Sequence, residues 1–383
     1  MANAMTMNPF QPGAGLLPGY MGRRPAIERP LLDIVDRLRA GQQGPRLAYL
    51  YGPRGNGKTV LLRWLANQAK QNSGELHIAQ VRLLPEHLTS SEMLVQRIRS
   101  AVTQTPGIFE NLAVSLEAGI PGISLKVGSV TPGDPILGLS DWLEQDRYPV
   151  LFSLDEAHEA DPVALGRFLN AVQLAGDLRP VGAILAGTPG LLDTLAASRA
   201  TFWSRGENLA VGLLPDGEAH AVLARPFLDA GLDANADVVA ELARAADDYP
   251  YFLQLYGAAA WDAVKATGAG EIRTEHVTAA IDATSVPRRK YYRERYEEFR
   301  KANALPLARD VALAFSKRDR PMTDARLDGL LARHSGDPAE IRALLNAKGF
   351  VWQDDDDHWT PGIPSLMSYM IDRTEPEPQS AQE

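Results

Sequence analysis

Gly52-Pro53-Arg54-Gly55-Asn56-Gly57-Lys58-Thr59 decides how this chain is read, because it satisfies G-x-x-x-x-G-K-[ST] at every position. The apolar run at 47–51 ahead of it is of strand type. Behind it, residues 59–70 carry Val60, Leu61, Trp64, Leu65 and Ala69 at helical spacing. A loop between strand and helix is the setting in which this motif holds phosphate. Glycines let the backbone approach an anion, successive N–H groups face it, and the opening helix adds its positive dipole end. Lys58 would reach the β/γ-phosphates as a point charge and the Thr59 hydroxyl would ligand Mg²⁺. Gly52, Pro53, Arg54, Gly55, Asn56, Gly57 and Val60 would complete the nucleotide contact. A Gly-rich turn with a surface lysine is the alternative, and it leaves the flanking strand and helix without a role.

Working outward, Gly22-Arg23-Arg24 precedes the helical pattern Ile27, Leu31, Leu32, Ile34, Val35, Leu38. Such a segment either closes the base side of a nucleotide or is an ordinary surface helix after a turn. Downstream, a strand at 76–81 and an amphipathic helix at 90–102 continue a βαβα order. Residues 108–130 interrupt it by alternating apolar and polar residues around Gly119-Ile120-Pro121-Gly122, the signal of an inserted hairpin, either a partner contact or a solvated excursion.

A buried-strand run at 149–154 ends in Asp155-Glu156-Ala157-His158. Asp155 is placed to hold magnesium through its water shell, and Glu156 to orient or deprotonate the attacking water. Acids decorating a helix N-terminus are the alternative. His158 is assigned to packing or a hydrogen bond. The next strand, 181–186, ends in Gly187-Thr188-Pro189-Gly190, where Thr188 either senses the γ-phosphate or caps a helix at 190–197. Arg199 and Arg205 come before a last strand at 209–214. An arginine there, Arg205 before Arg199, could stabilise transition-state charge on a neighbouring subunit's ATP.

At 383 residues, 45% hydrophobic and 23% charged, the chain has the balance of a globular protein of two or three domains. With no cysteine, disulfides and thiolate zinc sites are excluded, and a cytoplasmic setting fits. No apolar run approaches a membrane span, and the Pro/Gly-rich start lacks the pattern of a signal peptide. The net charge of −9 is uneven: residues 288–350 hold 15 Lys/Arg against 9 Asp/Glu, a net of +6 that leaves −15 elsewhere. That basic stretch could meet phosphate backbones.

With the phosphate loop, LFSLDEAH, ILAGTPG and a late FWSR in this order, residues 20–285 resemble the AAA+ class of P-loop ATPases, most nearly the origin-recognition-type and related archaeal-type and STAND ATPases. The resemblance implies a Gly-Arg box at Gly22-Arg23, a sensor at Thr188 and a subunit-bridging arginine at Arg205. It also implies an adenine contact from Pro250 in DDYPYFLQLYG, where Asp248 stands in the place of the family's glycine.

Helical spacing at 217–230, 235–246, 251–266 and 274–283 reads as a helical lid, and Pro287 starts a charged helix. Helices at 307–315, 323–333 and 338–348, then a hairpin around Asp354 to Asp357, read as a winged helix-turn-helix. That fold would set its third helix in the major groove of double-stranded DNA, with Arg342 and Lys348 beside it and Arg318, Arg320 and Arg326 on phosphates. Four aspartates at the wing tip would repel a phosphate backbone.

The expected architecture is therefore α/β: a parallel-sheet P-loop NTPase core with a helical lid and a C-terminal winged-helix domain. Its parts are a flexible lead-in at 1–20, the core at 21–215 with the 108–130 hairpin, the lid at 216–286, a connecting helix at 287–303, the winged segment at 304–371 and a disordered tail at 372–383. The expected function is an ATP- and Mg²⁺-dependent switch that couples nucleotide state to DNA binding through residues 305–350 or to partner assembly, with self-association through Arg205 and no membrane. The alternative is a nucleotide-dependent regulator or scaffold whose winged segment binds protein. A DEAH-type helicase would need a second RecA-like domain, for which residues 217–303 leave no room.

Overall fold

A computed structural model describes residues 7–13, 15–70, 77–89, 91–104, 149–317, 322–353 and 357–372. The expected hairpin at 108–130, Arg318, Arg320, Asp354, Asp355 and Asp356 of the hairpin tip, and all but one residue of the expected tail lie outside them. The core follows the order α1 (Pro25–Arg39), β1 (Gly44–Tyr51), α2 (Lys58–Lys70), β2 (Ala79–Leu83), α3 (Ser91–Thr103), β3 (Val150–Leu154), α4 (Pro162–Gly176), β4 (Pro180–Gly187), α5 (Leu191–Ala197) and β5 (Glu207–Ala210). The five strands form one parallel sheet, ordered β2-β3-β4-β1-β5.

Side chains alternate across a strand, so β1 sends Ala48 and Leu50 to one face and Leu47 and Tyr49 to the other. Leu31, Leu38, Leu61 and Leu65 of α1 and α2 cover the first face. Leu94, Phe168, Val172 and Leu195 of α3, α4 and α5 cover the second. β5 lies earlier than its apolar run suggested. It can pair only where β1 exists, Ala48 to Tyr51, and beyond that Val211 and Leu213 give their carbonyls to Asn56 and Arg24.

The helical remainder runs α6 (Glu218–Asp229), α7 (Ala236–Ala245), α8 (Pro250–Thr267), α9 (Thr274–Lys301), α10 (Leu305–Ser316), α11 (Asp324–Leu331), α12 (Pro338–Ala347), the antiparallel β8 (Val351–Gln353) and β9 (Trp359–Pro361), and α13 (Pro364–Asp372). A two-residue parallel pair, β6 (Asp233–Ala234) with β7 (Glu271–Ile272), ties the start of α7 to that of α9. Three expectations change here. The break at Pro287 is absent, and α9 is one helix of 28 residues. An interior proline removes one helical hydrogen bond, which alone disfavours the helix. Here Arg288, the next residue, ties it down by donating to Ala245 O (2.8 Å), Tyr256 Oη (2.8 Å) and Tyr292 Oη (2.6 Å) and pairing with Asp247. As a result, the elements expected as lid, connector and winged segment share one apolar cluster, from Leu223 and Phe252 through Tyr292 and Phe299 to Phe350 and Met367.

The second change is α13, which was not expected and packs Leu366, Met367 and Met370 inward beside α10. The third is the lead-in. Asn8 donates to Ala258 O (3.0 Å) and Asp262 Oδ1 (3.0 Å), and Phe10 is buried among the helices. Within residues 7–13 these two side chains hold the Pro/Gly-rich stretch against the helices.

Candidate active site

The carboxyl ends of β1, β3 and β4 meet at one edge of the sheet, the position at which open α/β folds place their sites. After β1 the loop 52–57 turns into α2, which opens at Lys58. Gly57 has φ 96°, and nothing lies within 4 Å of where a Cβ would stand, so the space beside its Cα is open. Lys58 Nζ donates to Gly52 O and Pro53 O, both at 2.7 Å. Burial lowers its pKa to about 8, against the pull of Glu156 and Asp155. Val60 lies half-buried on α2.

β3 delivers Asp155 and Glu156. Asp155 Oδ1 accepts from Glu156 N (3.1 Å), and Glu156 holds φ 52°, left-handed for a residue with a Cβ. That turn directs Glu156 toward Arg54 of the phosphate loop, which stands 4.0 Å from it and 3.5 Å from Glu159. His158 Nδ1 accepts from Thr188 N (3.3 Å), and burial lowers the imidazole to about 4, so it is neutral at pH 7. His158 thus joins the end of β3 to the end of β4, the hydrogen-bonding part expected of it.

Thr188 is 1% exposed and its Oγ1 has no protein partner, while Gly190 is the N-cap of α5, without a side-chain cap. Of the two readings of Thr188, the cap is therefore excluded. Asn56 is the second polar side chain here with an unpartnered buried atom: its Nδ2 donates to Val211 O (3.1 Å), leaving Oδ1 unpaired. Buried polar atoms ordinarily have partners, so two without one beside the loop fit a polar ligand.

On the α1 side the sequence reading named Gly22 and Arg23 and missed Arg24. Gly22 packs against Leu214 and Val222, and Arg23 is exposed and paired with Glu28 (2.9 Å). Arg24 is buried and donates to Leu213 O (3.0 Å) and to Asn56 O in the phosphate loop (3.0 Å). Burial lowers its pKa to about 10, and Glu28 opposes that shift. Arg24 also lines a cavity of about 490 Å³ with Ile27, Asn56, Leu213, Trp352 and Pro361. The signal available in sequence was the Arg-Arg pair before α1. Which arginine turns inward depends on the backbone at the helix start.

Pro250 is not among the cavity-lining residues; it opens α8 as its first residue. Its neighbour Tyr249 reaches the loop instead, donating to Arg54 O and meeting Tyr291 Oη at 3.1 Å, and a Cβ on Gly55 would collide with it. Asp247 and Asp248 adopt φ 55° and 51°, the left-handed region that glycine enters most freely, although neither is a glycine. Arg205 is exposed and lies before β5, whose first residue pairs with Ala48, so it is not brought to this chain's own loop. Arg199 is also exposed.

The C-terminal residues complete the surroundings. Gly349 lies against Pro53, a Cβ there standing 3.4 Å from its Cα. Gly362 packs on the same proline, Gly190 lies against Ala347, and Gly212 lies against the Trp352 ring. Arg342 does not project freely: its Nη1 donates to both carboxylate oxygens of Asp328 (2.9 Å each), and it sits 6.0 Å from the Trp359 ring centre. Lys348 follows α12 as its C-cap, half-buried.

Residues 41–195 match the family model described as an AAA domain. A comparison with curated proteins finds no match. Among solved structures, the chain is similar to a Walker-type ATPase of Pyrococcus abyssi, with a TM-score of 0.61 at 16% identity over 96% of this chain and 99% of that one. It is also similar to the ORC2 protein of Aeropyrum pernix in ADPNP–ADP complexes, with a TM-score of 0.56 at 14% identity over 94% and 96%. A third likeness is Cdc6p from Pyrobaculum aerophilum, with a TM-score of 0.50 at 16% identity over 94% and 97%. The fold is that of an α/β P-loop NTPase with a five-stranded parallel sheet. Among the described residues no helix is long and apolar enough to cross a membrane.

Proposed function

We propose that the chain is an ATP-hydrolysing switch of the AAA+ type whose nucleotide state sets the position of its C-terminal segment. The observation that carries this reading is the seat of that segment on the phosphate loop and β4 end, through Gly349, Gly362 and Ala347. A change of the loop on binding or losing a phosphate therefore meets the C-terminal residues directly. Two of the similar folds support nucleotide use, one described as a Walker-type ATPase and one in ADPNP–ADP complexes.

Mg²⁺ would supply charge neutralisation on the phosphates, and the hard oxygens of Thr59 and Asp155 are the donors it takes. Lys58 binds the β/γ-phosphates, Glu156 orients the attacking water, and Thr188 Oγ1 donates to the γ-phosphate. The base side of ATP or ADP occupies the cavity between Arg24 and Trp352. Arg205 serves the site of a second copy in a self-associated form.

We read α10, α11, α12 and the β8–β9 hairpin as a winged helix-turn-helix, with double-stranded DNA as its first candidate ligand. One observation favours a protein partner instead. The exposed face of α12 presents Ala339, Glu340, Ala343 and Leu344, without a basic residue, and Arg342 is held by Asp328. Anisotropy of a labelled random duplex at two salt concentrations, without nucleotide, with ADP and with a slowly hydrolysed ATP analogue, tests the choice. Salt-sensitive binding gated by the analogue, and by ATP in Glu156→Gln, is the expected result for DNA. Binding in no state would rule DNA out and leave the protein partner.

A further inference from the structure

The N-terminal loop reaches the candidate metal end of the site. Its ends are tied by Gly19 N donating to Pro9 O (2.9 Å), and Leu16 N donates to Gly13 O (3.3 Å) at the far turn. The base of the loop is fixed to α8: besides the two hydrogen bonds of Asn8, Gln11 N donates to Gln254 Oε1 (2.9 Å). Phe10 packs 5.6 Å from the Phe227 ring and against Gly257, where a Cβ would collide with it. From this anchor the chain carries Gly15 across to the start of α2. Gly15 has φ +66°, and a Cβ there would collide with Cγ2 of Thr59 and stand 3.0 Å from its Cβ.

We infer that Gly15 is a positioning residue for Thr59 and that residues 15–19, tied back to Pro9, border the nucleotide site. This rests on the reading of residues 52–59 as a nucleotide and Mg²⁺ site. The contact falls on the methyl group of Thr59, not on its hydroxyl. A helical threonine divides between two χ1 rotamers. A glycine backbone packed on the methyl selects the rotamer that keeps the methyl in this contact and directs the hydroxyl away from the loop. Only glycine serves, because any side chain at 15 is strained at this φ and displaces the methyl.

The test is the dissociation rate of a methylanthraniloyl-labelled ADP from the full chain, chased with unlabelled ADP, in Mg²⁺ and in EDTA. It compares wild type, Gly15→Ala, Thr59→Ser and the double variant. Gly15→Ala is expected to release the probe about tenfold faster in Mg²⁺, equivalent to ~1.4 kcal/mol, and at the wild-type rate in EDTA. Serine keeps the hydroxyl and lacks the methyl, so the double variant is expected to match Thr59→Ser alone, a non-additivity that a merely structural role of Gly15 would not produce. Acceleration equal in EDTA, no acceleration in Mg²⁺, or acceleration that persists in the serine background would each overturn the inference and leave the nucleotide reading standing. Failure of the wild-type chain to bind the probe at all would overturn that reading, and this inference with it.

Discussion

The α/β core and the helical residues after it are packed by different rules. In the core, the sheet divides the apolar side chains between two separate layers, and the strand ends are left to polar residues: the phosphate loop, Asp155, Thr188. In residues 218–372 one apolar cluster runs without a break, threaded by α9, and the central polar group, Arg288, is tied to Asp247, Tyr256 and Tyr292, the last continuing to Ser365 of α13 (2.6 Å). The core therefore holds polar groups available to a ligand at its strand ends, while the helical half turns Arg288 inward as a strut. From this contrast we expect the helical half to respond as one body, with its seam on the core at Tyr249, Gly349 and Trp352.

The largest expected effect breaks the chemistry of the core alone. Lys58→Ala should weaken ATP binding roughly a hundredfold, ~2.7 kcal/mol, in titration calorimetry, with the nucleotide-free melting temperature unchanged within a few degrees. A collapse of the helical half in that variant would count against the separation. Next comes the strut. Arg288→Met leaves Asp247 and two tyrosine hydroxyls without their donor and should destabilise the chain by about 2 kcal/mol in urea unfolding, discounted from the buried-pair range because Arg288 and Asp247 are partly exposed. If residues 218–286 and residues 305–372 then unfolded in separate transitions, Arg288 would be the tie that makes them one body.

The seam is third. Trp352→Ala removes one wall of the cavity and should speed nucleotide release about tenfold, ~1.4 kcal/mol, read by stopped flow, while unfolding of the helical cluster changes little. The smallest effect is of pH. The ligand-free Lys58 has a pKa lowered to about 8 and would regain its charge against phosphate, so binding takes up a proton and weakens as pH rises through 8. The affinity loss from about pH 7 to 8.5 should be roughly fourfold. Over about pH 8 to 10.5 the unfolded chain holds more protons at this lysine, so the ligand-free fold should gain stability while affinity falls. An affinity flat across that range would show that Lys58 is not the group that carries the charge.

Much of the core was legible because its signals are local. Four strand-and-turn units at 47–59, 79–83, 150–158 and 181–190 are short enough that periodicity and glycine place them within a few residues. The helical half was harder at its boundaries. Pro287 is a helix breaker by local rules, and it was overruled by hydrogen bonds to residues about forty positions earlier in the chain. Arg24 and Tyr249 were missed for a similar reason: an adjacent residue carried the motif-like signal, and burial chose between neighbours. The lead-in had the composition of a flexible segment, and two anchoring side chains, Asn8 and Phe10, were enough to fix it.

By itself the sequence determined the phosphate loop, the acidic pair after β3, the α/β class and the helical spacing of the second half. These depend on residue type and short-range periodicity, which the backbone reads within one or two turns. Only the tertiary structure decided that the second half is one packed body, that the C-terminal residues sit on Pro53, and that Gly15 rests on Thr59. Those contacts join residues 44 to more than 300 positions apart. They are selected by burial and shape complementarity across the whole fold, quantities that no local window of residues contains.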